Sequence, residues 1–201
     1  MKVGLYFGSF NPIHIGHLII ANYMAEYTDF DQVWLVVSPQ NPHKKKVSLL
    51  EDYHRLTLVN IAVESNDKLH ACDIEFKLPQ PSYTITTLVY LKEKYPQHDF
   101  SLLMGEDNLR SFHKWFNYEE IIDNHQLFIY PRVYTEQEIP KKEEALVSVK
   151  NHKNVIFCKD VPIMKISSSF IRHAIKNKKD VRYLLSSPVF KYVDEMNFYK
   201  K

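Results

Sequence analysis

Val3-Gly-Leu-Tyr-Phe7 reads as a short buried strand. Leu18, Ile19, Ala21, Tyr23, Met24 and Ala25 run on as a helix packed on most of its sides. Between them lies only Gly8-Ser-Phe-Asn-Pro-Ile-His-Ile-Gly-His17. A strand that empties through so tight a turn into a helix N-terminus is the feature around which the rest of the chain has to be arranged. The chain has four glycines, and Gly4, Gly8 and Gly16 fall within its first sixteen residues. Such clustering implies that the backbone approaches something closely here.

The turn has a chemistry of its own. A helix N-terminus presents unpaired N–H groups and a partial positive charge, which suits phosphate. His14 and His17, three residues apart, share a face where the turn is helical and can point at one ligand. Two other readings stay open on these residues. The segment could be a plain strand-to-helix link, or the pair could ligate a metal, although no Cys, Asp or Glu follows nearby to complete a tetrahedral set.

Along the chain, strand and helix signals alternate. Strands are expected at Val33–Val37, Leu69–Ile74, Phe100–Met104, Leu127–Tyr130 and Val155–Cys158. Helices are expected from a Ser48-to-Glu51 capping box through Glu64, over Tyr83–Lys94, Tyr118–Asp123 and Ser168–Lys176, and over Pro188–Asn197 with Ser187 as cap. This order predicts an α/β fold with a doubly wound parallel sheet and right-handed crossovers. Ligands in such sheets sit beyond the C-terminal strand ends, so the loops at Gly8, Ser38, Gly105 and Pro131 are expected to converge on one crevice. Residues 1–201 read as a single domain with a C-terminal helical part from about 166. Val133–Lys153, rich in Glu and Lys, reads as a surface excursion.

Composition excludes several classes. A net charge of +2 is too small to argue for nucleic acid or an anionic membrane surface. Two cysteines, Cys72 and Cys158, make no disulfide framework. No signal peptide is expected, since the first apolar stretch is broken by Gly4 and Gly8, and no run of about eighteen apolar residues exists. A cytoplasmic chain is the expectation, with a homo-oligomer left open.

Four further segments carry candidate chemistry. Ser38–Lys46 carries three lysines, Lys44 to Lys46, after Pro39 and Pro42, in a loop that reads as solvated or as a phosphate-facing mouth. Ser82 or Thr84 could cap the helix after Pro81. Asp107, beside Gly105 at a strand end, is either a helix cap or an acceptor for ribose hydroxyls. Ser167, Ser168 and Arg172 are a capped helix with a surface charge, or a second phosphate clamp.

Gly8-Ser-Phe-Asn-Pro-Ile-His-Ile-Gly-His17 resembles the signature of the HxGH nucleotidyltransferases, which have a Rossmann-like fold. Phe7 and Asn11 stand where that pattern often has glycine and aspartate. Pro42-His-Lys44, Ser82-Tyr-Thr84, Phe112-x-x-Trp115 and Ile166-Ser-Ser-Ser-x-Ile-Arg172 resemble, in order, motifs of the bacterial nicotinate-nucleotide adenylyltransferases. Ser169 replaces a threonine and Glu106 a small residue, and Tyr183–Leu185 with Val189 and Tyr192 resemble the C-terminal helices. The likeness thus runs from Gly8 to Tyr192.

The resemblance implies adenylyl transfer from ATP to nicotinate mononucleotide. It implies catalytic roles for His14, His17, Lys44 and Arg172, and ATP contacts from Gly8, Ser9, Phe10, Gly105, Asp107, Ser167 and Ser168. It places Asn41, Tyr83, Thr84, Trp115, Phe116 and Arg132 at the mononucleotide, with Trp115 stacking on the pyridine ring. Mg²⁺ is expected to bridge substrate phosphates without a dedicated protein site. Small molecules, not nucleic acid or membrane, are the expected partners. Alternatives are another HxGH adenylyltransferase, acting on phosphopantetheine or nicotinamide mononucleotide, and a non-catalytic nucleotide-binding module. A hydrolase using His14 and His17 on zinc is a third.

Overall fold

A computed structural model describes residues 1–39, 49–131 and 149–200. Six strands form one parallel sheet: β1 (Lys2–Gly8), β2 (Gln32–Val37), β3 (Leu69–Cys72), β4 (Asp99–Gly105), β5 (Leu127–Tyr130) and β6 (Val155–Phe157). Their order is β3-β2-β1-β4-β5-β6. The chain winds outward from β1 to one edge, returns to pair β4 with β1, and winds to the other edge. The direction reverses beside β1, and in open α/β sheets ligands bind at such a point, beyond the C-terminal strand ends. The Rossmann-like expectation holds.

The strand side chains alternate between the faces. Val3 and Leu5 of β1, Phe100, Leu102 and Met104 of β4, and Leu127 and Ile129 of β5 join one core with helices α3 (Thr84–Lys94), α4 (Glu106–Ser111) and α5 (Tyr118–Asn124). Tyr6, Leu103 and Phe128 point to the opposite core, with α1 (Ile15–Tyr27), α2 (Asp52–Val63), α6 (Ser168–Lys176) and α7 (Ser187–Glu195). The period-2 split over two apolar faces is what a sheet covered on both sides requires. Each such Leu or Val, once fully buried, contributes about 1.5–3 kcal/mol.

Some boundaries depart from the sequence expectation. Helix α2 begins at Asp52 with Glu51 as its N-cap, not at a Ser48 capping box, and Ser48 lies outside the described residues. The reason is tertiary: the Leu50 N–H donates to Asn11 Oδ1 and its carbonyl accepts from Arg55 Nε, so Leu50 is engaged before a helix can claim it. Strand β3 stops at Cys72, and Ile74–Lys77 forms a 3-10 turn instead of extending it. Helix α4 was not expected; it is too short to show a period. Ser186, not Ser187, occupies the N-cap position of α7, without a side-chain capping bond among the described residues, which places Pro188 second in the helix. Helix α1 is less enclosed than expected: Leu18, Ile19, Tyr23 and Tyr27 border an open groove with Ala62, Leu69 and Pro162. Among the described residues no helix is long and apolar enough to cross a membrane.

Candidate active site

At the end of β1 the backbone turns through Phe10, whose φ of 43° is a left-handed angle that an aromatic residue adopts only under constraint. The constraint is the Phe10 ring, 1% exposed and 5.1 Å from the His17 ring. A Cβ on Gly8 would lie 2.8 Å from that ring, and one on Gly16 would lie 3.1 Å from His14 Nδ1. The clustered glycines therefore make room for the turn's own side chains.

His14 is the N-cap of α1, and its backbone N–H donates to His17 Nδ1 at 3.3 Å. The two imidazoles stack with centroids 3.7 Å apart. His14 is buried, its Nδ1 has no hydrogen-bond partner among the described residues, and burial pulls its pKa down to about 4. His17 is pulled well below its ordinary value, first by burial and then by the neighbouring His14. Both rings are neutral at pH 7, adjacent and at a helix N-terminus, so a polyanion arriving there would meet N–H donors and could draw protons onto them.

Helix α6 meets this turn. Ser167 is its N-cap, with Oγ accepting from the Phe170 N–H at 3.2 Å. Ser168 Oγ donates to the Pro12 carbonyl at 2.9 Å, and Arg172 Nη1 donates to the Asn11 carbonyl at 2.7 Å. Arg172 Nη2 also donates to Ser169 Oγ at 3.2 Å. The guanidinium thus lies within hydrogen-bonding distance of the segment that carries His14 and His17.

The end of β4 joins through two tyrosines. The Tyr6 ring lies 6.1 Å from that of His17, and its hydroxyl is 3.2 Å from the Tyr130 hydroxyl. A Cβ on Gly105 would lie 3.2 Å from the Tyr130 ring and 2.5 Å from Asp107 Oδ1, so Gly105 leaves room for both. Asp107 sits in the first turn of α4, where the helix dipole favours a carboxylate.

A separate aromatic surface lies at the start of α3. Tyr83 is its N-cap residue, so neither Ser82 nor Thr84 caps it, and Thr84 is the first helical residue. The Tyr83 ring is 5.1 Å from that of Phe116, and both are exposed. Trp115 is half-buried against Phe112, at 5.3 Å. Asn41, Lys44 and Arg132 lie outside the described residues.

Two buried charged residues that sequence reasoning missed tie these parts together. Arg55 is 0% exposed. Its Nη1 donates to the carbonyls of Ser9 and Ser38, both at 2.7 Å; Nη2 reaches the Pro39 carbonyl at 3.1 Å and pairs with Asp52; and Nε reaches Leu50. Glu75, 3% exposed, accepts from Thr87 Oγ1 at 2.9 Å and from the hydroxyls of Ser38 and Ser82. Burial raises its pKa against those hydroxyls. Arg55 thus joins the ends of β1 and β2, and Glu75 joins the end of β2 to the segment before α3. The signal for Arg55 was present: it lies three and four residues before Leu58 and Val59, on the buried face of α2.

Comparison with known proteins places this geometry in context. The Cytidylyltransferase-like family matches residues 5–174. A probable nicotinate-nucleotide adenylyltransferase from Flavobacterium psychrophilum is 58% identical over 201 residues, covering 100% of both chains. One from Bacteroides thetaiotaomicron is 44% identical, covering 97% of this chain and 92% of its own. Among solved structures, Plasmodium falciparum nicotinic acid mononucleotide adenylyltransferase complexed with NaAD superposes with a TM-score of 0.76 at 19% identity, covering 99% and 97%.

Proposed function

The chain belongs to the Cytidylyltransferase-like family, and we propose that it transfers the adenylyl group of ATP to nicotinate mononucleotide, giving deamido-NAD and pyrophosphate in NAD biosynthesis. It is a nucleotidyltransferase. The observation that carries the mechanism is the docking of α6 onto the β1–α1 turn, by Ser168 on Pro12 and Arg172 on Asn11. It sets two histidines, a guanidinium and two helix N-termini around one turn.

The reaction asks mainly for placement. The mononucleotide's phosphate is already anionic, so it attacks the α-phosphorus of ATP without a general base, and pyrophosphate leaves in line. Charge grows on the phosphate oxygens. His14, His17 and the N–H groups opening α1 would hold them on one side, and Arg172 with Ser167 and Ser168 would hold them on the other. Two of the five guanidinium N–H groups of Arg172 are engaged by the turn and Ser169, which leaves others for an anion. A well-aimed donor in a dry site is worth about 3–4 kcal/mol, against about 0.3–1 for a helix terminus. The side chains should therefore carry more of the rate than the helix dipoles.

Gly8, Ser9 and Phe10 would line the adenylate, and Gly105 and Asp107 would take its ribose. Tyr83, Thr84, Trp115 and Phe116 would receive the mononucleotide, the rings covering the pyridine. Asn41, Lys44 and Arg132 are assigned by sequence match. Among the described residues no three His, Cys, Asp or Glu side chains gather as a metal site. Mg²⁺ carried in on the triphosphate would supply further neutralisation of phosphate charge beside His14, His17 and Arg172. In this reading one nucleotidyltransferase domain, residues 1–201, works in the cytoplasm on two small molecules.

Pyrophosphate release tests the reading. The protein should release pyrophosphate from ATP plus nicotinate mononucleotide, and more slowly with nicotinamide mononucleotide. No release with either would overturn it.

A further inference from the structure

Beyond α7 the chain turns back on itself. Asn197 and Tyr199 take left-handed backbone angles, φ 54° and 63°. Phe198 lies against His54, with ring centroids 4.6 Å apart, and against Tyr192 at 5.8 Å. Lys200 Nζ holds Asp194 Oδ1 at 2.9 Å and Asn197 Oδ1 at 2.8 Å. An asparagine in that conformation is ordinary after a helix. A tyrosine is not: contact between its Cβ and the backbone disfavours the left-handed angle unless surrounding contacts impose it.

The contact that accompanies this angle is specific. The Tyr199 hydroxyl donates to Asn11 Oδ1 at 2.7 Å, across 188 positions of sequence. The same oxygen accepts the Leu50 N–H at 3.2 Å, and the Asn11 carbonyl is the one that receives Arg172 Nη1. Asn11 is 2% exposed. Burial pushes the phenol above its ordinary pKa, while the Arg172 and Arg55 guanidiniums pull it down, which places both charges near it. The last residues of the chain therefore grip the turn between Phe10 and His14, at the residue whose carbonyl aims the arginine.

We infer that Tyr199 is a positioning residue for adenylyl transfer, holding Asn11 so that the histidine turn and Arg172 stay aligned on the phosphates. The inference rests on the proposed reading of this turn as the ATP phosphate site. Alignment has kinetic weight, because a misplacement near 1 Å can cost about 10²-fold in rate. A single neutral hydrogen bond has little weight in stability, a Tm shift of roughly 2–4 °C in a chain of this size.

Tyr199→Phe in the full-length protein separates the two, since it keeps the ring and removes only the hydroxyl. The expected result is a kcat lowered about tenfold, KM for nicotinate mononucleotide within about twofold of wild type, and Tm within about 4 °C. In an Asn11→Ala background the same substitution should change kcat by less than about twofold, because residues that act through one contact are not additive. Wild-type kcat and KM in Tyr199→Phe would overturn the inference, as would a full tenfold loss that persists without Asn11. A wild-type protein that releases no pyrophosphate overturns the underlying reading instead, so the two failures are distinguishable.

Discussion

At the end of β1, His14 is 5% exposed, Asn11 2% and Arg55 0%; at the start of α3, Tyr83 is 41% exposed and Phe116 56%. The first region is polar, buried and bonded in advance. The second is aromatic, open and in contact mainly with itself. The difference follows from what each would bind. Highly charged phosphates are stabilised only by donors that need no rearrangement, and holding such donors out of water requires that their other bonds be satisfied within the protein. A planar ring binds by area and needs only a face to lie on. Preformed polar structure and waiting aromatic surface are thus two answers to two ligand chemistries.

The sharpest way to break that contrast is to remove its buried staple. Arg55→Met would leave the carbonyls of Ser9, Ser38, Pro39 and Leu50 without that partner. Truncating a buried charge network of this kind costs about 3–5 kcal/mol. Thermal melting should therefore show Tm lowered by roughly 10 °C. An unchanged Tm would mean the phosphate side is no more rigid than the aromatic side.

His17→Ala comes next. It should reduce kcat by about two to three orders of magnitude while stability falls only by the lost cap contact, about 1 kcal/mol. Steady-state kinetics beside a melting curve decide this. Lost stability with activity retained in the folded fraction would make the histidine structural.

The third prediction concerns pH. His14 is buried neutral with its pKa near 4, against about 6.5 unfolded. Between these values the unfolded chain binds the proton and the folded one does not, so stability falls as pH drops from about 6.5 towards 4. The loss from this residue reaches ~3 kcal/mol at most. Denaturant titrations across that window should show the fall, and His14→Gln should flatten it.

The smallest effect belongs to the open side. Trp115→Ala should raise KM for nicotinate mononucleotide about tenfold and leave KM for ATP unchanged, with little change in Tm. Equal effects on both substrates would retire the stacking role.

The same contrast governs what is legible in the sequence. The alternation of strands and helices was visible because apolar runs such as Val33–Val37 and Leu127–Tyr130 are interrupted by breakers. The turn at Gly8–His17 and the Ser167–Arg172 segment were visible because their residue types are unusual and contiguous. Glu75 and Tyr199 were not, because their meaning lies in partners 12 and 188 positions away; for Arg55 the helix face was legible, but its partners, up to 46 positions away, were not. A polar residue on a helix reads as surface until the fold buries it. Helix α4 escaped because six residues show no period.

The Phe10 ring occupies the space that any side chain on Gly8 would need. Positions 8 and 10 therefore form a single hereditary unit. A larger residue could enter at 8 only in a lineage that had already surrendered the ring at 10, and that ring packs edge-on against His17. Drift across this turn is confined to paired steps, the first of which loses that contact before the second can exploit the space.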